Sequence, residues 1–526
     1  MEPIRRIKKS GDREYWYEET PYYDPVSKQT RYKNSKYLGR NIDGKPVRMR
    51  DAPPEVREKI RKNTKTVAVR SAYDHGSVML LMQIMHDLKL DQYLHEILND
   101  SDAAMVTALA LNRIIRPLAM KDIGTWYAGT TLALDSPQIT LTGQRISELL
   151  ARIGSSTVPQ QLMTRLLEEN RMKRTLIYDI TSLSSHSSLM NLLEYGYNRD
   201  GVSLPQINLS LIMDKELGIP VMYDLYPGSI TDVTTLTGTL KKIAAYGVKE
   251  YTAIMDRGFF SQHNLLEMLD QQISFIIAAT FQLKDVKLLL TEAQRDITNV
   301  EYLQKFKDKT IYAKPVTLSL ESYKLKGYLF YDPKRELEEK ESLTSRLVDI
   351  RDKLATVRLK KEKPAFIRFY EIAGKLKNFF DWKAVDDRIE ATIRQNAVAQ
   401  RMNRMGKFMV FYSGDVDWMT VLSLYRERDE IEKEIEMMKS DLDVLPLNTH
   451  KDSTTSGFIF IVFVALIIRA RLLRMMTEAE LLKHYSVKSL LLELDKLKKV
   501  TLADGQVMTT EMTKKQRLII EALEIM

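Results

Sequence analysis

TLIYDITSL, residues 175–183, sets apolar and β-branched residues around a single aspartate and reads as a strand. INLSLIMD (207–214) and GIPVMYDLYP (218–227) follow, with Gly and Pro punctuating the ends, and the three read as an antiparallel meander. DVTTLTGTLKKIAAYG (232–247) has helical spacing, YTAIMD is a strand closing at Asp256, SQHNLLEMLDQQ is a second helix and ISFIIAAT (273–280) another strand. The order β-β-β-α-β-α-β is a mixed α/β layout, and it places Asp179 inside one strand and Asp256 at the end of another. Aspartate has poor β propensity, so each position needs a reason of its own. For either residue alone, a satisfied structural carboxylate at a strand end or turn is the simpler reading.

The pattern changes on both sides of this core. Upstream, REYWYEETPYYD and QTRYKNSKYLGR read as strands closed by an Asp43-Gly44 turn, giving a small β-rich module over 1–71. After Pro53-Pro54 the spacing turns helical: VMLLMQIMHDLKLDQYLHEIL (78–98), DAAMVTALALNRII behind Ser101, QRISELLARI, and VPQQLMTRLLEENR behind Ser155-Ser156. Residues 72–172 therefore read as an all-α domain. Downstream, 281–412 mixes alternating stretches with a charged helix and reads as an inserted subdomain dividing a core of 173–280 and 413–475. KFMVFY (407–412) is one more strand, a helix runs over Trp418–Ser440, an apolar helix covers 457–473, and a polar helical tail fills 476–526.

With 526 residues, 44% hydrophobic and 28% charged, the composition is that of an ordinary globular chain. Zero cysteine excludes disulfide scaffolds, thiolate metal sites and thiol nucleophiles, and is compatible with a reducing cytosol. The densest apolar run, Phe458–Ile468, has eleven residues against the roughly 20 that a bilayer needs, and predicts a buried helix. The formal charge is 79 − 70 = +9. Residues 1–70 hold 19 Lys/Arg and 10 Asp/Glu, so 19 − 10 = +9 and the whole excess is N-terminal. Interleaved with Tyr15, Trp16, Tyr17, Tyr22, Tyr23, Tyr32 and Tyr37, those cations suit phosphate contact with aromatic packing on nucleic acid, or equally a solvated basic arm.

In SLYRERDEIEKEIEMMKSD (423–441), Tyr425, Arg428, Glu432 and Lys439 stand at offsets 0, 3, 7 and 14. At about 100° per residue they share one stripe no wider than about 60°. Ile431, Ile435 and Met438 occupy an adjoining face that can dock on a sheet. By spacing alone this is equally a solvated face laced with i, i+4 ion pairs.

The Tyr-x2-Arg-x3-Glu-x6-Lys spacing resembles the YREK signature of the DDE transposases of bacterial insertion sequences, in the group that includes hairpin-forming cut-and-paste enzymes. Asp179 in the first strand and Asp256 after the fourth agree with that family in order. The resemblance covers about 174–475. It implies a ribonuclease-H-like mixed-sheet core interrupted by a β-containing insertion, with the all-α domain of 72–172 binding DNA. It also implies catalytic and metal-binding roles for Asp179, Asp256 and Glu432, with DNA contacts from Tyr425, Arg428 and Lys439; Arg257, beside the second aspartate, is a weaker candidate for that work. Carboxylates without Cys or a His cluster suit Mg²⁺ or Mn²⁺, two ions per site, for phosphodiester hydrolysis.

The implied activity is binding of terminal inverted repeats, cleavage, and joining of 3′-OH ends to target DNA. Its implied partners are double-stranded DNA and a second copy of the chain, with no membrane, in the bacterial cytoplasm near the nucleoid. The alternatives are a ribonuclease-H-like nuclease without strand transfer and a domesticated sequence-specific DNA-binding protein. Relatives hold a flipped base on an aromatic residue; Trp382 and Trp418 are available for that. The seven histidines lack ligand spacing.

Overall fold

The computed structural model describes residues 2–525 apart from 11–12, 26–27, 56, 58–68, 169–173, 188, 199–200, 249 and 360–363. The chain forms two compact units: 1–72 with 500–509, and 73–499 with 510–526.

The smaller unit carries an antiparallel sheet in the order β1-β2-β3-β4: β1 (Ile4–Ser10), β2 (Arg13–Asp24), β3 (Gln29–Ile42) and β4 (Lys45–Val47). Asp43 and Gly44 have φ of 52° and 79°, the left-handed pair that a two-residue hairpin demands. β1 has no sequence signature, because IRRIKKS lacks the alternation of a half-buried strand. Pairing with β2 supplies what it lacks, including Arg5–Glu18 at 3.8 Å and Lys9–Glu14 at 3.1 Å. The aromatic residues partly serve the sheet itself. Tyr37 packs on Tyr15 and Tyr17, Arg6 lies 3.9 Å from the centre of the Tyr32 ring, and Trp16 donates to Asn41 Oδ1 at 2.9 Å.

In the larger unit seven helices come first: α1 (Gly76–Asp87), α2 (Leu90–Ile97), α3 (Asp100–Ile115), α4 (Met120–Ala128), α5 (Leu132–Asp135), α6 (Gly143–Gly154) and α7 (Val158–Glu168). The helical spacing read across 78–98 is broken at Lys89, whose φ of 54° is left-handed. α3 is capped by Asn99, whose side chain accepts from the Asp102 N–H, rather than by Ser101.

The core meander is β5 (Arg174–Ser184), β6 (Gln206–Asp214) and β7 (Ile219–Pro227). Next come α8 (Asp232–Ala245), β8 (Tyr251–Met255), α9 (Gln262–Asp270), β9 (Ser274–Ala278) and α10 (Lys284–Ala293). β8 runs parallel to β5 and β9 parallel to β8. The following segment lengthens the same sheet: β10 (Leu303–Phe306), β11 (Lys309–Leu320) and β12 (Tyr323–Tyr331) join through β15 (Lys407–Tyr412). The result is one nine-stranded sheet in the order β10-β11-β12-β15-β9-β8-β5-β6-β7. Residues 333–405, with α11 (Pro333–Thr356), α12 (Ala365–Ala373), the hairpin β13 (Phe380–Val385) and β14 (Arg388–Ile393), and α13 (Gln395–Met402), have a hydrophobic core of their own, around Leu347, Leu354 and Phe369.

Two long helices follow, α14 (Trp418–Ser440) and α15 (Asp452–Glu478). By length and composition α15 is sufficient to cross a membrane, and 83% of its apolar window is buried inside the protein. It packs against α6, α3, α1 and β7, so the N-terminal helices and the sheet share one hydrophobic core. At the crossing with α6 two glycines meet: a Cβ on Gly457 would lie 2.0 Å from the Leu150 carbonyl oxygen, and one on Gly154 would lie 1.9 Å from that of Ser453. Close approach, rather than backbone freedom, is what those glycines supply.

The tail departs from a purely helical reading. Between α16 (Val487–Leu494) and α17 (Lys514–Ala522) it contains β16 (Lys498–Leu502) and β17 (Val507–Thr509), because Asp504-Gly505 turns the chain, with Gly505 at φ 86°.

Candidate active site

Two parallel strands set the two aspartates side by side. Tyr178 of β5 stands opposite Met255 of β8, so Asp179 and Asp256, each one residue further along, lie at the same level on neighbouring strands. Tyr178 is buried on the α8 side, where its hydroxyl donates to Thr235 at 3.1 Å. Side chains alternate along a strand, so Asp179 faces the other way, toward α14, which packs on β5, β8, β9 and β15. Asp256 begins the tight turn Arg257–Phe259 without capping it, leaving its carboxylate available, 31% exposed.

α14 brings the third carboxylate. Asp417 caps it, accepting from the Met419 and Thr420 N–H groups at 2.8 and 3.1 Å. Val421, Leu422, Ile431, Ile435 and Met438 are buried and seat it on the sheet. Tyr425 is half-buried and stacks on Phe408 of β15, with ring centres 6.2 Å apart. Arg428 is buried, and Glu432 stands more than half exposed.

The meeting point is the Arg428 guanidinium. Its Nη1 lies 2.7 Å from Glu432 Oε1 and 3.6 Å from Asp256 Oδ1. Burial alone would lower its pKa; Asp256, then Tyr425, Glu432 and Asp179, outweigh that and hold it raised. Burial pushes the Tyr425 phenol up to about 12 against the opposing pull of Arg428, so it stays a protonated donor at neutral pH.

A cleft of about 1310 Å³ opens here, lined on one side by Asp256, Arg257, Tyr425, Arg428 and Glu432. Asp179 does not line it and reaches the site as a charge acting on Arg428. Lys439 is half-buried and outside the lining as well. It shares the angular stripe of Tyr425, Arg428 and Glu432, but seven further residues at about 1.5 Å each carry it roughly 10 Å along the helix. Trp382 and Trp418 are not at the cleft either: Trp382 stacks on Phe369 at 4.6 Å inside the inserted module, and Trp418 opens α14. The aromatic residues that do line it are Phe260, Phe281, Phe408 and Tyr425.

The opposite side of the cleft, including Lys309, Lys334, Arg335, Arg401 and Arg404, was not marked by any sequence motif. These residues are scattered over almost a hundred positions with no common spacing, so only the fold gathers them.

Among the described residues no three Asp, Glu or His side chains are drawn together closely enough to hold an ion as they stand. The donor chemistry nevertheless fits a hard divalent cation: Asp179, Asp256 and Glu432 offer only oxygens, and Asp256 and Glu432 already pair with one cationic group. That group is Arg428, and Asp179 stands on the strand beside Asp256.

Residues 170–468, more than half of the chain, match the family of the transposase DDE domain. The chain belongs to that family, whose members generally use divalent metal ions. No curated protein matches it. Among solved structures it is similar to a piggyBac transposase synaptic complex with hairpin DNA, at 9% identity over 76% of this chain and 70% of that one, with a TM-score of 0.38. It is also similar to the Drosophila P element transposase strand transfer complex, at 12% identity over 74% and 87%, with a TM-score of 0.19. Likenesses this loose carry no argument about fold or chemistry.

Proposed function

We propose that the chain is the transposase of a bacterial insertion sequence, in the group with the YREK signature, and that it cuts DNA at its element's terminal inverted repeats and joins the 3′-OH ends to target DNA. The observation that carries this reading is the convergence of Asp256 and Glu432 on Arg428, with Asp179 at the level of Asp256 on the next strand. The sheet order supports it: β7-β6-β5-β8-β9, three strands antiparallel and two parallel, is the layout that a ribonuclease-H-like core implies, with an inserted segment ahead of the glutamate helix.

In this reading Asp179, Asp256 and Glu432 would hold two Mg²⁺ or Mn²⁺ ions, which would supply activation of a water and stabilisation of the leaving 3′ oxygen in an in-line displacement. Arg428 and Arg257 orient phosphates, Arg428 doing so once its guanidinium turns from the carboxylates to the DNA. Tyr425 donates its phenolic proton to a phosphate oxygen. Lys439 meets the DNA further along, outside the cleft. The helices of 76–168 and the basic N-terminal sheet recognise the terminal repeats, and two copies pair two ends on double-stranded DNA, in the cytoplasm at the nucleoid.

The test uses DNA flanking the coding region. With Mg²⁺ or Mn²⁺ the protein should cut at matched inverted repeats and leave 3′ hydroxyls, and pre-cut ends should be joined to a target plasmid. Cutting without joining would make it a nuclease, and repeat binding with neither would make it a DNA-binding protein.

A further inference from the structure

The second wall of the cleft is built with unusual firmness. The chain leaves the sheet at the end of β12 and returns at β15, where Tyr331 pairs with Lys407. The Asp332 N–H donates to the Gly406 carbonyl at 2.8 Å, and the Gly406 N–H donates to Glu339 Oε2 at 2.9 Å. Gly406 has φ 68°, and a Cβ there would lie 2.6 Å from the Asp332 carbonyl oxygen, so the two passes of the chain are held tightly together. Asp332 is buried and caps α11 through the Arg335 N–H.

This neck brings Lys334, in the first turn of α11, beside Arg401 and Arg404, at the end of α13 and in the turn after it, and Lys309 of β11 joins them along the same cleft. Arg335 is accounted for by Glu339 at 2.8 Å. Lys309, Lys334, Arg401 and Arg404 have no carboxylate partner among the described residues. A helix N-terminus favours acids over cations, so helix stability does not explain Lys334. Carboxylates line the same cleft, Asp332, Glu338 and Glu339 on this side and Asp256, Asp429 and Glu432 on the other, yet among the described residues none of them pairs with these four cations, which are left to meet an anionic ligand.

We propose that Lys309, Lys334, Arg401 and Arg404 form a sequence-independent phosphate-binding wall for the second, uncut strand of the duplex whose first strand lies across the carboxylates. This rests on the reading of the chain as a DNA-cutting enzyme. The scissile strand must lie at Asp256 and Glu432, and the part of a duplex that faces the other side of the cleft is the complementary backbone. The wall holds that backbone by charge, so its contribution weakens as salt rises.

The experiment measures binding of the full-length protein, without divalent ions, to a 30-base-pair duplex of flanking DNA and to one of its separated strands, over a range of salt. For Lys334→Ala/Arg401→Ala/Arg404→Ala, loss of three phosphate contacts should reduce the slope of log K against log salt by about 2.7 on the duplex, with little change on the single strand. An unchanged duplex slope would overturn the wall, and an equal loss on both ligands would overturn its assignment to the second strand. Lys334, Arg401 and Arg404 have no carboxylate partner among the described residues, so the triple variant should keep the wild-type melting temperature. Because the assay needs no cleavage, its failure is separable from that of the catalytic reading, which Asp256→Ala tests by activity.

Discussion

α14 and α15 follow one another in the chain, with 23 and 27 residues, and use their surfaces in opposite ways. α15 is buried almost all round from Phe458 to Ala470 and even takes Arg469 inside, where it pairs with Asp441 of the preceding turn. α14 buries Ile431, Ile435 and Met438 on one side and turns Tyr425, Arg428 and Glu432 toward the cleft. One helix binds the N-terminal helices to the sheet, and the other carries charge to the place where the strands bring theirs. A mutation should therefore act through stability on α15 and through chemistry on α14.

The largest break in that contrast comes from the carboxylates. Asp179→Ala, Asp256→Ala and Glu432→Ala should each lower metal-dependent cleavage more than a thousandfold, about 4 kcal/mol in the barrier. Glu432→Ala should do so with little change in melting temperature, because its side chain is half exposed. Gly457→Val should do the reverse: urea unfolding should show a loss of about 3 kcal/mol, since a side chain at that helix crossing overpacks the contact with Leu150.

Arg428→Met removes the positive charge shared by Asp256 and Glu432. We expect a loss of about 1 kcal/mol in EDTA that millimolar Mg²⁺ offsets, a metal response of stability that Gly457→Val should not share. At the small end, Glu478→Gln removes the exposed Arg474–Glu478 pair of α15 and should shift stability by less than about 0.5 kcal/mol.

What could be read in the sequence follows the same division. The α14 boundaries fall at Trp418 and Ser440 as its pattern indicates, because Asp417 caps the start and the apolar stripe is regular. The meander and the two parallel strands were legible because each is a short apolar run between turn residues. α15 was only partly so: eleven apolar residues mark its centre, but its 27-residue length depends on partners in α6 and β7. Lys89 gives no local warning of the break between α1 and α2, and β1 exists only because β2 pairs with it.

At the site, angular spacing identified the face of α14 but not distance along it, which is why Lys439 falls outside the cleft. Nor does spacing tell that Arg428 is the group on which the acids converge, since that depends on β5, β8 and α14 meeting. The cationic wall was invisible because Lys309 and Arg404 become neighbours of one cleft only through the neck at Asp332 and Gly406.

On the proposed function, divalent ions held by Asp179, Asp256 and Glu432 would act on the oxygens of the cut phosphodiester. The most direct measurement replaces the leaving 3′ oxygen at the cut site with sulfur and compares Mg²⁺ with the more thiophilic Mn²⁺. The account predicts that Mg²⁺ supports cleavage of the oxygen substrate but fails on the sulfur one, and that Mn²⁺ restores it. Equal cleavage of both substrates in Mg²⁺, or cleavage that persists in EDTA, would contradict it.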